Sequence, residues 1–177
     1  MPCFILHAHC FFQKGIEKKA IIAVLLDFKN CLKKKWVGAI YQILEMQKIR
    51  KAKKYTPKIA PETTGKVNVF GSIEEISNLV SDTGCSFCVD FAHILAREKS
   101  YKFDVVKKVF SKEKDWHIHF SGIEYGEKGE RHHKNTSEKE IKKLLENLPK
   151  NKEIIIINEA PNPIGDSVKA LKIHKSS

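Results

Sequence analysis

At 177 residues the chain is long enough for one well-buried core. Its 42% hydrophobic and 30% charged residues exclude a disordered polymer, and no apolar run reaches the roughly 20 residues of a membrane span. The formal charge of +11 favours a polyanionic partner, and it is unevenly placed: within residues 14–58 thirteen Lys/Arg face three acidic residues. Five cysteines (Cys3, Cys10, Cys31, Cys85 and Cys88) are odd in number and lack a framework spacing, which fits reduced thiols in a cytoplasmic protein. Cys85-Ser-Phe-Cys88 is a lone C-x-x-C, read as packing at a strand entrance rather than as a redox or metal pair.

Residues 3–12, CFILHAHCFF, lack the basic leading region of a signal peptide and read as a strand with His7 and His9 on one face. After Gly15 come two helical patterns, residues 16–35 with Ile21, Val24, Leu25, Phe28 and Leu32, and residues 36–55 with Val37, Ile40, Tyr41, Leu44 and Ile49. Pro57 ends the second, and residues 58–62 form a short strand closing on Glu62 before the polar turn TTGKVN. Ser72 and Glu75 make a capping box for a helix to about Ser81, which Gly84 closes. Residues 86–91 are the next strand, with Asp90 at its end and His93 just beyond; residues 101–114 continue as an amphipathic helical tract on Phe103, Val106 and Val109.

Residues 116–133, WHIHFSGIEYGEKGERHH, hold four of the eight histidines. His117 and His119 alternate with Ile118 and Phe120 and so project to one face of a strand; an extended E-x-H triplet puts Glu130 and His132 on one side. Imidazole with carboxylate is the ordinary ligand set for zinc and its neighbours, against which stands the reading of a solvated loop. A second capping box, Ser137 with Glu140, starts a helix over residues 138–148 that Pro149 stops. Residues 153–159, EIIIINE, are a nearly continuous apolar strand of the kind buried on both faces, and Asp166 is expected to cap a last helix through His174.

Strands therefore begin near positions 3, 58, 86, 116 and 153, and the last four are spaced like βα units of a parallel sheet. Glu62, Asp90, His93, His119 and Glu159 sit at or just after strand carboxyl ends, where barrels and open α/β sheets place their chemistry.

Taken in order, PETTGKVNVFGSIEEI, CVDFAHILAR, HIHFSGIEYGEKGERHH and INEAPNP resemble the endonuclease IV family of apurinic/apyrimidinic endonucleases, over residues 58–172. The resemblance implies an α/β fold of (β/α)8-barrel type, of which the last five or so βα units are present. It implies a single partial-barrel domain over residues 1–177, with residues 14–58 as a divergent basic helical segment. It also implies up to three zinc ions, with manganese tolerated, and hydrolysis of the phosphodiester 5′ to abasic sites in DNA. The implied metal ligands are His7 (or His9), Glu62, Asp90, His93, His119, Glu130, His132 and Glu159. Glu62 bridges two ions and is the catalytic carboxylate; His93, Glu130 and His132 hold a third ion, Glu130 standing where many members have Asp in D-R-H.

His117 is read as a hydrogen-bonded histidine without a ligand role, His133 and His174 as surface residues, and Lys66 and Arg97 as DNA contacts or solvated side chains. The expected partners are abasic DNA and a second copy or second chain completing the barrel, because an open half-barrel exposes sheet edges; no membrane is expected. Two further readings are a metal-dependent sugar isomerase or epimerase of the xylose-isomerase-like barrels, and an inactive remnant serving as a binding module.

Overall fold

A computed structural model describes residues 32–176. The strand expected over residues 3–12, with His7 and His9, and most of the helix expected over 16–35 lie outside the described residues.

The first described helix, α1 (Leu32–Ala52), runs unbroken across the boundary expected at 35/36. It packs through Ile43, with Trp36, Ala39 and Ile40 beside it, while Val37, Tyr41, Leu44 and Ile49 of the expected apolar face are exposed. Residues 58–62 lie parallel to β1 (Cys88–Asp90), with Ser86 N–H donating to Ile59 O, Cys88 N–H to Pro61 O and Thr63 N–H to Cys88 O. Only Glu62 registers as a bridge, opposite Cys88; Pro61 has no N–H to extend the ladder. Helix α2 (Ile73–Thr83) carries both hydrogen bonds of the Ser72/Glu75 capping box and ends on Gly84 at φ 63°, a left-handed conformation that suits glycine.

The tract after β1 is two helices, α3 (Phe91–Glu98) and α4 (Phe103–Val109), separated by Lys99 and Lys102 at positive φ. Strands β2 (Asp115–Phe120) and β5 (Glu153–Asn158) complete a parallel sheet of order β1-β2-β5. Between them stand an antiparallel hairpin, β3 (Gly122–Gly126) and β4 (Gly129–Lys134), and helix α5 (Glu138–Asn147) on its Ser137/Glu140 box. The last helix, α6 (Pro163–Lys175), is capped by Asn162 and not by Asp166. Asp166 lies inside the helix, buried, accepting from Thr136 N–H and the Lys169 ammonium.

The fold is thus α/β with a parallel sheet and flanking helices; a closed eight-stranded barrel is not formed among the described residues. Strand alternation splits the sheet into two faces. Phe87, Val89, Trp116, Ile118 and Phe120 pack with Ile76, Leu79, Phe91, Ile94, Val106, Phe110, Ile141 and Leu144 of the helices. Within that core Phe87 stacks on Phe110 at 4.1 Å between ring centroids, with Trp116 edge-on to both. Cys88, Asp90, His117 and His119 take the opposite, polar face. Strand β5 differs from expectation: it is an edge among the described residues, and Ile155 and Ile156 are 55% and 41% exposed. A strand is buried on both faces only where neighbours cover it; here α6 packs against part of β5 and Ile154 reaches the core, while Ile155 and Ile156 stay exposed. No described helix is long and apolar enough to cross a membrane.

Candidate metal centre

The ends of β1, β2 and β5, neighbours in the sheet, converge with the bridging residue Glu62 at one rim of the polar face. Glu62 makes the bridge to β1, Asp90 ends β1, His119 lies opposite Asp90 on β2, and Glu159 follows β5 with its N–H on Phe120 O. His119 Nδ1 stands 3.0 Å from Glu62 Oε1 and 3.1 Å from Glu159 Oε1. Glu62, Asp90, His119 and Glu159 each offer a ligand atom, all within 4.8 Å of one another. The parallel sheet makes this convergence cheap: in-register strands put their terminal side chains in one row, with no loop needed to aim them.

Asp90 is fixed by its neighbours. Its backbone N–H donates to Thr63 Oγ1, and Oδ1 caps α3 by accepting from His93 N–H at 2.9 Å. Its other oxygen, Oδ2, is buried without a hydrogen-bond partner, the nearest basic nitrogen being His93 Nδ1 at 3.5 Å. A buried carboxylate oxygen left so costs several kcal/mol unless a cation meets it. The donor set and this oxygen together fit a divalent ion.

His93, one turn into α3, joins the rim from the helix side. Its Nδ1 lies 2.9 Å from Thr63 O; a carbonyl only accepts, so Nδ1 carries a proton and Nε2 is the nitrogen left for an ion to take. That fixing of the outer nitrogen is the usual companion of a metal-binding imidazole. Nε2 faces Glu130 Oε2 at 3.0 Å, and Glu62 Oε1 is 3.6 Å from Nδ1. Glu62 therefore stands between His119 and His93.

Glu130 comes from the hairpin, which packs against α3. Its N–H donates to Gly65 O, and a Cβ at Gly65 would land on its carboxylate, so only glycine leaves room there. His132 points to solvent, and His133 takes the inward position: Asp90, His93 and His133 form a second group with ligand atoms within 4.8 Å of one another. The physical reason is a β-bulge. Register shifts at Glu124/Tyr125, with Glu124 opposite His132 and Tyr125 opposite Glu130, so Arg131 is an extra residue that resets the alternation. His133 Nδ1 is held 2.6 Å from Ser121 Oγ, and its ring lies edge-on to His93 at 5.3 Å. Nothing in the sequence marks the bulge, although the adjacent His-His pair offers both registers.

The site's charge balance is carried by protons. Burial alone would lower the His119 pKa, but hydrogen bonds to Cys88, Glu159 and Glu62 raise it to about 12. The His119 hydrogen bond holds Glu159 down at about 2. His93 is also raised: burial works against it, and Asp90, Glu130 and Glu62 outweigh that.

Of the other residues noted in the sequence, Arg97 is no solvated cation. Its guanidinium ties Thr64 Oγ1, Lys66 O and Val69 O together, holding the loop below Glu62. Lys66 is exposed, and so is His174. His117 lies on the polar face beside Cys88, a residue that sequence reasoning left out of the site.

No protein-family model matches the chain. Over 86 residues it is 45% identical to the uncharacterized protein MJ0133 of Methanocaldococcus jannaschii, a match covering 42% of this chain and 32% of that protein. The matched part thus spans about a third of that relative's length. Among solved structures, SacUVDE aligns with a TM-score of 0.49 and 20% identity, over 66% of this chain and 39% of that one.

Proposed function

We propose that the chain is a metal-dependent endonuclease that hydrolyses the DNA phosphodiester 5′ to abasic sites, as its resemblance to the endonuclease IV family implies. The observation that carries the reading is the row Glu62, Asp90, His119 and Glu159, closed around a buried Asp90 oxygen that lacks a hydrogen-bond partner. We assign one divalent ion to that row and another to Asp90, His93 and His133, with Glu130 at its edge and Glu62 between the two. His133 replaces His132 in this assignment because of the bulge. His7 or His9 would serve a further ion. Zinc suits the mixed nitrogen and oxygen donors, and manganese is tolerated. When bound, such ions supply Lewis acidity toward a phosphodiester oxygen and an acidified water.

The chain's own residues do the rest. Glu62 orients the attacking water in line with phosphorus and takes up its proton as the bond from phosphorus to the 3′ oxygen breaks, and the departing 3′ oxygen takes a proton from solvent. Lys66, Lys128, Arg131 and Lys134 are exposed on the loop and hairpin beside the site, where they hold backbone phosphates without reading bases. An abasic nucleotide lacks stacking on its strand and is extruded toward the rim at lower cost than an intact one. We read residues 1–177 as one domain, with residues 58–172 carrying the described ligands. The edge of β5, unpaired among the described residues, would accept a strand from a second copy or another chain.

The test is incubation of the full chain, with Zn2+ or Mn2+, against an abasic duplex, an intact duplex and free sugars. Chelator-sensitive cleavage 5′ to the abasic site, leaving a 3′ hydroxyl, supports the proposal. Turnover of sugars without incision transfers the site to the isomerase reading.

A further inference from the structure

One row below the carboxylates, the same sheet face carries a different donor set. Cys88 lies directly opposite His117 in the β1–β2 register, and His119 is two residues further along β2 on the same side. Cys88, His117 and His119 offer ligand atoms all within 4.8 Å of one another, and the two imidazoles stand 5.0 Å apart between centroids at 79°. We propose that Cys88, His117 and His119 form a second, thiolate-bearing site for a thiophilic metal ion such as Zn2+, Co2+ or Cu+, distinct from the carboxylate group above it.

The geometry needs little adjustment. A tetrahedral ion about 2.3 Å from sulfur and about 2.0 Å from nitrogen spaces its donors by roughly 3.3–3.8 Å, so torsions of these side chains worth about 1 Å close the site. All three donors stand on neighbouring strands of one parallel ladder, which holds their spacing. Cys88 and His119 are buried, whereas His117 is partly exposed. Cys85 does not compete: no disulfide joins it to Cys88, and it stands apart from this cluster, in the loop after α2. One thiolate with two imidazoles selects soft and borderline ions over Mg2+ or Mn2+, whereas the row above, with three carboxylates and one imidazole, takes harder ions as well. The chain would then bind two kinds of metal on one face, with His119 common to both.

Co2+ titration of the full chain reads this site directly, because only a thiolate ligand produces sulfur-to-cobalt charge-transfer absorption in the near ultraviolet. The expected result is a band saturating at one equivalent. It is abolished in Cys88→Ser, weakened at least tenfold in apparent affinity in His117→Gln, and retained in Glu62→Gln. Circular dichroism confirms folding of each variant. If Cys88→Ser does not fold, His117→Gln, altered at a partly exposed position, carries the test. No band in the parent chain, a band that persists in folded Cys88→Ser, or one undiminished in His117→Gln overturns the proposal. A band without DNA incision would refute the nuclease and leave this site standing.

Discussion

Loading the carboxylate row with a divalent cation should expel a proton from His119. The imidazole is buried and held protonated by Cys88, Glu159 and Glu62, with a pKa of about 12, so between pH 6 and 8 the metal-free chain carries this proton in full. An ion cannot share the nitrogen with it, and binding is therefore proton-coupled. One displaced proton makes the apparent affinity rise about tenfold per pH unit, or about 1.4 kcal/mol. Across pH 6 to 8 the gain is about a hundredfold. Isothermal titration with Zn2+ in buffers of different ionisation enthalpy counts the proton, and the same titrations give the slope. The displaced proton disappears in His119→Gln. A wild-type affinity that stays constant from pH 6 to 8, with no proton released, refutes the reasoning.

The same ion pair predicts the acid limit of the metal-free fold. Glu159 is depressed to about 2 from 4.5, so its contribution is present above pH 4.5 and is lost as pH falls toward 2. Discounted for its partial exposure, it amounts to about 1–2 kcal/mol; Glu159→Gln should melt at a temperature that depends less on pH between 5 and 3 than the parent's does. His119 describes the same pair from the other side: its contribution is present below pH 6.5 and fades as pH rises toward 12. Exchange at the hairpin separates two registers: His133→Ala should lose at least tenfold in metal affinity at the His93 group, while His132→Ala stays within about twofold, by metal titration. Gly65→Ala should keep the far-ultraviolet spectrum but displace Glu130, cutting incision at least tenfold; unchanged activity would show that the Glu130 carboxylate is not needed where it stands.

What the sequence made legible was local. The Ser72/Glu75 and Ser137/Glu140 capping boxes form because each is a contact three residues apart, decided by the segment itself. Strand ends carrying Glu62, Asp90, His119 and Glu159 were readable for a similar reason: alternation and spacing fix which residue finishes each strand, and a parallel register then brings the ends together. Features that depend on distant neighbours were not readable. The apolar run of β5 implied burial on both faces, yet Ile155 and Ile156 are exposed because no neighbouring element covers them among the described residues. Asp166 resembled a cap, but Asn162 lies at the helix start behind Pro163, and Asp166 turns inward to Thr136. The bulge that exchanges His132 for His133 arises from pairing with β3, and Cys88 gains its imidazole neighbours only through the β1–β2 register.

The central claim is that a cation on the Asp90 oxygen powers phosphodiester cleavage. Asp90→Asn is the sharpest probe, since the amide oxygen still caps α3 while the buried charge is removed. Single-turnover incision of an abasic duplex by metal-loaded parent and by Asp90→Asn, both shown folded by thermal melting, measures it. The account predicts chelator-sensitive incision by the parent and a loss of at least about a hundredfold in the variant. Equal rates in the two proteins would contradict it.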